Sequence, residues 1–223
     1  YLGRINYGYK DKYFLDLTAR ADGSSKFGEN NNYGFFPAVA GAWRIVEEPF
    51  MKTVPVISDL KLRGSWGITG NAGAIDPYQS LATVSASGLN YNYNHNPVTG
   101  INPSAIPNPD LKWERSTQVD IGLDVSLFNN RLSVVADYYN KRTDNLLFQK
   151  VLPMSSGYTA LTGNFGSIRN KGVELAVNGR ILPGGGNRLQ WDASANITFN
   201  QNEVLALDGI LDELPRSAFA LLK

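Results

Sequence analysis

The sequence predicts an all-β protein, an antiparallel transmembrane β-barrel, here an open partial barrel of about eight strands cut from a larger one. Three observations point to it: period-2 alternation of apolar and polar residues over most of the chain, tight and long connections that take turns, and alternating segments too long for an ordinary sandwich. The alternation is plainest over 117–127, where Val119, Ile121, Leu123, Val125 and Leu127 share one face and Gln118, Asp120, Gly122, Asp124 and Ser126 the other. Successive strand residues point to opposite sides, so such a stretch is a ribbon with one greasy and one wet face.

The same pattern runs through residues 189–200, with Leu189, Trp191, Ala193, Ala195, Ile197 and Phe199 against Gln190, Asp192, Ser194, Asn196, Thr198 and Asn200. It recurs over 13–22, with Tyr13, Leu15, Leu17, Ala19 and Ala21 against Phe14, Asp16, Thr18, Arg20 and Asp22. Residues 60–68 set Leu60, Leu62, Gly64, Trp66 and Ile68 against Lys61, Arg63, Ser65 and Gly67. Segments 131–143 and 172–182 follow with some slippage, and 2–9 and 35–45 are compatible, which brings the count to about eight.

Tight turns are expected at Lys10–Lys12, at Asn129–Asn130 and from Pro183 to Asn187, and a moderate link from Glu47 to Asp59 with a short helix. Long polar loops are expected at 23–34, 70–111, 148–170 and after 202. Membrane barrels have this asymmetry, with short periplasmic turns and long extracellular loops, so strand 2–9 should descend and 13–22 ascend. On that assignment Trp43 and Trp191 fall near the lower interface and Trp66 and Trp113 near the upper, as aromatic girdles require. The segment Leu111–Phe128 could extend for some 17 residues, roughly 55 Å at about 3.3 Å each, beyond the 5–6 residues usual in a sandwich. Repeated inward charges (Asp16, Arg20, Lys61, Arg63, Asp120, Asp124, Glu174 and Arg180) suit a water-filled lumen.

Composition narrows the function classes. The 223 residues carry a formal net charge of +1 and only 18% charged residues, so nothing draws the chain to nucleic acid. There is no cysteine, which removes disulfides, thiol catalysis and thiolate metal sites. No apolar run approaches the roughly 20 residues of a membrane helix, whereas a barrel strand needs only about 9–11. No signal peptide opens the sequence, and the pattern starts and stops within strand and loop, so 1–223 is expected to be one partial barrel domain without a plug domain and without its last strands.

The candidate chemistry is sparse. His95 is the single histidine. It has no second histidine for a metal and no G-x-S-x-G elbow for a nucleophile, so no catalytic residue, metal site or cofactor is expected. Asp120 and Asp124 lie four apart on one strand face, about 13 Å, too far for a glycosidase pair at roughly 5–9.5 Å. Pro183-Gly184-Gly185-Gly186-Asn187 lacks the Lys of a phosphate loop and reads as a turn, and the sequon Asn196-Ile197-Thr198 sits mid-strand and reads as chance. The loop Leu89-Asn90-Tyr91-Asn92-Tyr93-Asn94-His95 is the candidate contact for cargo, since Tyr rings stack on sugar faces and Asn amides both donate and accept. Tyr91, Tyr93 and His95 are its substrate-binding candidates. The competing reading is a soluble β-sandwich carbohydrate-binding module that uses this same loop.

Several stretches, in order and spacing, carry a resemblance. They include Gly3-Arg4-Ile5-Asn6-Tyr7, Asp22-Gly23-Ser24-Ser25-Lys26-Phe27, Gly34-Phe35-Phe36-Pro37-Ala38, Ala42-Trp43-Arg44-Ile45 and Leu60-Lys61-Leu62-Arg63-Gly64-Ser65-Trp66-Gly67. Asn108-Pro109-Asp110-Leu111-Lys112-Trp113-Glu114, Leu127-Phe128-Asn129-Asn130-Arg131-Leu132 and Asn170-Lys171-Gly172-Val173-Glu174 continue the set. The chain resembles the C-terminal barrel region of SusC/RagA-type TonB-dependent outer-membrane transporters. That resemblance implies a 22-stranded barrel with a plug domain, residence in the outer-membrane lipid, a SusD-like surface lipoprotein over the mouth, TonB as energy source, and oligosaccharide or peptide cargo. Gating residues cannot be assigned, because neither a plug nor a TonB box is present in the sequence.

Overall fold

The computed structural model describes residues 1–73, 75–86, 90–185 and 188–207. Eight strands form one antiparallel sheet: β1 (Leu2–Tyr9), β2 (Tyr13–Gly23), β3 (Tyr33–Arg44), β4 (Ile57–Asn71), β9 (Glu114–Leu127), β10 (Leu132–Val151), β11 (Ala160–Gly185) and β12 (Arg188–Leu207), in the spatial order β1-β2-β3-β4-β9-β10-β11-β12. Between β4 and β9 four short strands form two nested hairpins. β5 (Thr83–Ser85) pairs with β8 (Asn102–Ala105), and β6 (Asn90–Tyr93) pairs with β7 (Asn96–Thr99). β1 and β12 are the open edges, and among the described residues no second sheet covers the apolar face, which sets the sandwich reading aside.

Pairing registers show what holds the faces in line. One row runs Tyr7–Leu15–Gly41–Gly64–Ile121–Tyr138–Val173–Phe199 across all eight strands, and its outward members come from the faces read as apolar. A slip of one residue in any strand would turn its charges toward the apolar side, so this register is strongly specified. The apolar side chains are left open: Ile121, Val173 and Phe199 are 53%, 46% and 64% exposed. On β9 the outward apolar run Val119–Leu127 covers about 27 Å along the strand. At a tilt of about 35–45° its height is about 19–22 Å, most of the ~25 Å apolar band of barrel strands.

The belt's slope gives a second measure. Its lowest outward aromatic on β1, Tyr9, shares a row with Tyr13, Trp43, Leu62, Leu123, Ala136, Leu175 and Ile197, but on β12 the belt reaches six residues lower, to Trp191. Six residues are about 20 Å, set against about 34 Å for seven inter-strand steps, which corresponds to strands tilted by roughly 30° from the barrel axis. A level apolar belt crossing tilted strands must climb relative to the hydrogen-bonded rows, as this one does.

The tight turns at Lys10–Lys12 and Asn129–Asn130 form where they were read. Lys10 and Asp11 both take left-handed backbone (φ 53° and 55°), which matches the twist of a two-residue hairpin. Phe128, Asn129 and Asn130 are likewise left-handed before β10. The 47–59 link holds two short 3-10 turns, Ile45–Glu47 and Pro49–Thr53. Glu48 between them clamps this lower rim. Its carboxylate accepts from Lys12 Nζ at 3.0 Å, Tyr13 Oη at 2.7 Å and Trp43 Nε1 at 3.2 Å. Tyr13 and Trp43 stack with centroids 6.4 Å apart.

The structure corrects several boundaries. The loop expected over 148–170 is a connection of only eight residues, 152–159, because β10 continues to Val151 and β11 starts at Ala160. β12 runs on to Leu207 and not to Phe199, and β11 extends to Gly185, into the stretch read as a turn, whose Gly186 and Asn187 lie outside the described residues. β9 starts at Glu114, not Leu111. The upper parts of β10–β12 were missed because their outward residues turn polar above the belt (Asn140, Arg142, Lys171, Arg169, Gln201, Glu203), and polar on both faces reads as loop. Trp113 is also not a girdle residue. It packs at 4.6 Å on Phe27 and 5.4 Å on Phe36, and its indole N–H is buried without an acceptor among the described residues, whereas a girdle Trp puts that group at the wet interface.

Two outcomes follow. Leu123→Arg should disfavour assembly in lipid by about 2–4 kcal/mol if the site is near the midplane, while Asp120→Asn on the opposite face should cost far less. Heat-modifiable migration of the full-length protein measures both. The second concerns Glu48, whose three donors, Tyr13 first, then Lys12 and Trp43, hold it at about 2, below its ordinary 4.5. A carboxylate with a depressed folded-state pKa stabilises fully above its unfolded value and loses that contribution as pH falls through the folded one. The clamp should therefore be unaffected from neutral pH to about 4.5 and loosen between 4.5 and 2, seen as a change in Trp43 emission that Glu48→Ala abolishes.

Candidate functional site

The polar face carries the ion pairs of the wall. A cavity of about 430 Å³ opens on it, lined by Gly8, Phe14, Asp16, Ala40, Ala42, Arg63, Ser65 and Asp120 among others. Small residues on β3 and β4 (Ala38, Ala40, Ala42, Ser65, Gly67) keep this wall low, with charged pairs to either side of it. Arg4 on β1 pairs with Asp16 on β2. Ser65 donates to Asp120 Oδ2 at 3.1 Å, and Gln118 donates to Asp120 Oδ1 at 2.8 Å.

The centre of the wall is Arg63. From β4 its guanidinium reaches Asp124 on β9 with Nε at 2.9 Å and Nη2 at 2.8 Å, and Asp137 on β10 at 2.9 Å. One side chain thus ties three strands, in the fork geometry that suits arginine. Gly122 makes room for it, since a Cβ there would lie 2.3 Å from Asp137 Oδ1 and 2.7 Å from Arg63 Cζ. The inward placement of Arg63 and Asp124 was legible from alternation; the triad was not, because pairing depends on inter-strand register.

At the upper mouth the long 72–113 excursion is pinned by a small apolar core. Phe27, Ile75 and Leu111 are buried together, with Ala72, Trp113 and Leu147 against them. Phe36, next to Arg20 on the lumen-facing row, packs edge-on to Trp113, so the core sits on the lumen side. Gly28 approaches Pro109 so closely that a Cβ would fall 1.7 Å from its carbonyl oxygen, and the Gly28 N–H donates to Leu111 O at 3.0 Å. Lys26 Nζ donates to Ile75 O at 2.7 Å, and Asn164 holds Lys112 from both sides, accepting from its N–H at 3.0 Å and donating to its carbonyl at 2.8 Å. Aromatics clustered around Asp22–Phe27 and Trp113 were the available signal for this core.

Of the cargo candidates, Tyr91 and Tyr93 stand two apart on β6 and so share a face, 55% and 71% exposed, opposite Val98 and Asn96 of β7. His95 sits with Asn94 in the left-handed turn of that hairpin (φ 64° and 50°), and is exposed. Leu89, at the start of the candidate loop, lies outside the described residues. The hairpin brings the three residues to one tip.

Removing the centre of the wall tests its role. Arg63→Met should leave Asp124 and Asp137 facing each other unpaired and cost about 1 kcal/mol after allowance for solvent in a partly exposed site. Asp124→Asn combined with Asp137→Asn in that background should recover most of the loss, as read by thermal melting of the full-length protein in detergent.

Residues 3–221 match the family model described as TonB dependent receptor-like, beta-barrel. The chain is 42% identical over 204 residues to TonB-dependent receptor P39 of Formosa agariphila, covering 92% of this chain and 19% of that protein. It is 40% identical over 212 residues to TonB-dependent receptor SusC of Bacteroides thetaiotaomicron, covering 94% and 21%. Among solved structures, the RagAB peptide importer in its closed-closed state superposes with a TM-score of 0.85 at 35% identity, over 97% of this chain and 23% of that one. The chain spans about a fifth of the length of the curated relatives it matches. By this family match and these identities, the chain belongs to the TonB-dependent receptor-like β-barrels of the SusC/RagA type.

Proposed function

We propose that this chain is a wall segment of a cell outer-membrane TonB-dependent transporter that brings oligosaccharides or other nutrients, peptides included, into the periplasm. Its partners on this reading are a SusD-like surface lipoprotein over the mouth and TonB acting through other parts of the parent. The reading rests chiefly on family membership, with identity of 40% to a protein named SusC. In it, residues 1–223 belong to one barrel domain whose further strands pair with the open edges β1 and β12. On the wall Arg4 pairs with Asp16 and Arg63 with Asp124 and Asp137, and the described residues hold no group of three or more His, Cys, Asp or Glu that could bind a metal ion. A relative captured in structure is named a peptide importer, and a peptide cargo has that in its favour. An oligosaccharide cargo has the exposed Tyr91/Tyr93 face, since adjacent rings on one strand face offer successive sugars a stacking surface.

A strain lacking the parent gene should lose uptake of one class of oligosaccharide or peptide, and the tagged parent should co-purify with a surface lipoprotein. Tyr91→Ala with Tyr93→Ala should weaken uptake of a glycan about tenfold, the scale of two lost ring contacts, and leave barrel folding intact. Unchanged uptake of every oligosaccharide and peptide tried, with no lipoprotein recovered, would contradict the proposal.

A further inference from the structure

Above the apolar belt, the outward face of β9–β11 carries an excess of positive charge that the fold does not neutralise. The outward row after Tyr138/Val173/Phe199 is Asn140/Lys171/Gln201, and the next is Thr117/Arg142/Arg169/Glu203. Arg115 follows on β9, opposite Asp144. Arg142 and Arg169 are direct cross-strand partners. Two like charges in that position, with Cβ atoms about 4.5–5.5 Å apart, destabilise a strand pair unless an anion lies between them. Two carboxylates are near: Asp144 takes Arg142 at 2.9 Å, and Glu203 takes Arg169 only loosely, at 3.7 Å. Arg115 and Lys171 have no ion pair among the described residues. The patch lies two to four residues above the last apolar outward side chains, about 7–13 Å along the strand. With the tilt found above, that is the depth of lipid headgroups.

We propose that Arg115, Arg142, Arg169 and Lys171 form a site for the phosphate groups of a lipid headgroup in the leaflet at the upper interface. Arginine forks suit phosphate oxygens, and the tails of such a lipid would lie down the belt over Tyr138, Val173 and Phe199. The site is continuous with the lipid-facing surface and sits on the side away from the lumen, so its occupant is a membrane component and not cargo. It rests on the reading that the outward face meets lipid.

The test uses the full-length transporter in non-ionic detergent, with native mass spectrometry reading retained lipid. The probes are bis-phosphorylated lipid A, the same lipid without phosphates, and inorganic phosphate. The wild type should retain the phosphorylated lipid and not the dephosphorylated one, and inorganic phosphate should not displace it. Combining Arg142→Gln, Arg169→Gln and Lys171→Gln should lower retention about 100-fold, as expected for three lost cations at an anionic surface, while Lys52→Gln at the lower rim should leave it unchanged. Equal retention by the triple variant, equal retention of the dephosphorylated lipid, or displacement by inorganic phosphate would each overturn the proposal. Heat-modifiable migration separates this from a failure of the barrel reading. A folded triple variant that still holds lipid defeats the headgroup site alone, whereas a wild type that never forms a heat-modifiable band defeats the barrel.

Discussion

The structure depends on one constraint: in hydrocarbon a backbone N–H or C=O has no partner but another strand. Every residue within the belt must therefore be paired, and pairing in register forces alternation on the side chains. The unbroken ladder between β9 and β10, from Leu132↔Leu127 to Asp144↔Arg115, is that constraint at work. The irregularities in the main sheet lie toward the ends: between Asp144 and Leu146, between Leu146 and Leu147, between Ser167 and Ile168, between Arg180 and Leu182, and between Ile57 and Asp59. Bulges leave polar groups unpaired and turn the strand, which is tolerable at the rims and not at mid-depth.

From that ladder follow the two faces and what each can do. Outward positions need only be apolar, so Leu, Val, Ile and Phe recur there without a packing partner within the chain. Inward positions carry small residues and charges, and several of those charges pair between adjacent strands. The Arg63–Asp124–Asp137 triad joins β4, β9 and β10 through one guanidinium shared by two carboxylates. The two rims are fastened differently. Below, Glu48 gathers three donors; above, a buried apolar cluster of Phe27, Ile75 and Leu111 holds the long excursion against the mouth. Beyond the pinned part of the excursion, the β6–β7 hairpin leaves Tyr91 and Tyr93 exposed.

The faces and the tight turns were legible in the sequence because both are local. Alternation needs only neighbours two apart, and Lys10-Asp11 or Asn129-Asn130 need only residues that tolerate left-handed backbone. What escaped was everything that depends on depth or register. The tops of β10–β12 lost their alternation where both faces become polar, so they looked like loop. Trp113 was placed by its position near a strand end, but its partners, Phe27 and Phe36, come from the β2–β3 connection and from β3, far away in sequence. The nested hairpins at 83–105 are built from Asn, Pro, Ser and Thr, whose composition favours turns over strands. Tyr91, Tyr93 and His95 were singled out by residue type alone, and the geometry adds that the two rings share a face.

The central claim is that one face meets lipid and the other water. Nitroxide labels placed one at a time on β9 of the full-length protein in bilayers measure this directly through collision with oxygen, which concentrates in lipid, and with a water-soluble nickel chelate. Labels at Val119, Ile121 and Leu123 should be relaxed by oxygen, and labels at Gln118, Asp120 and Asp124 by the chelate, with a period of two residues. A flat profile, or oxygen contact on the Asp120 face, would contradict the account.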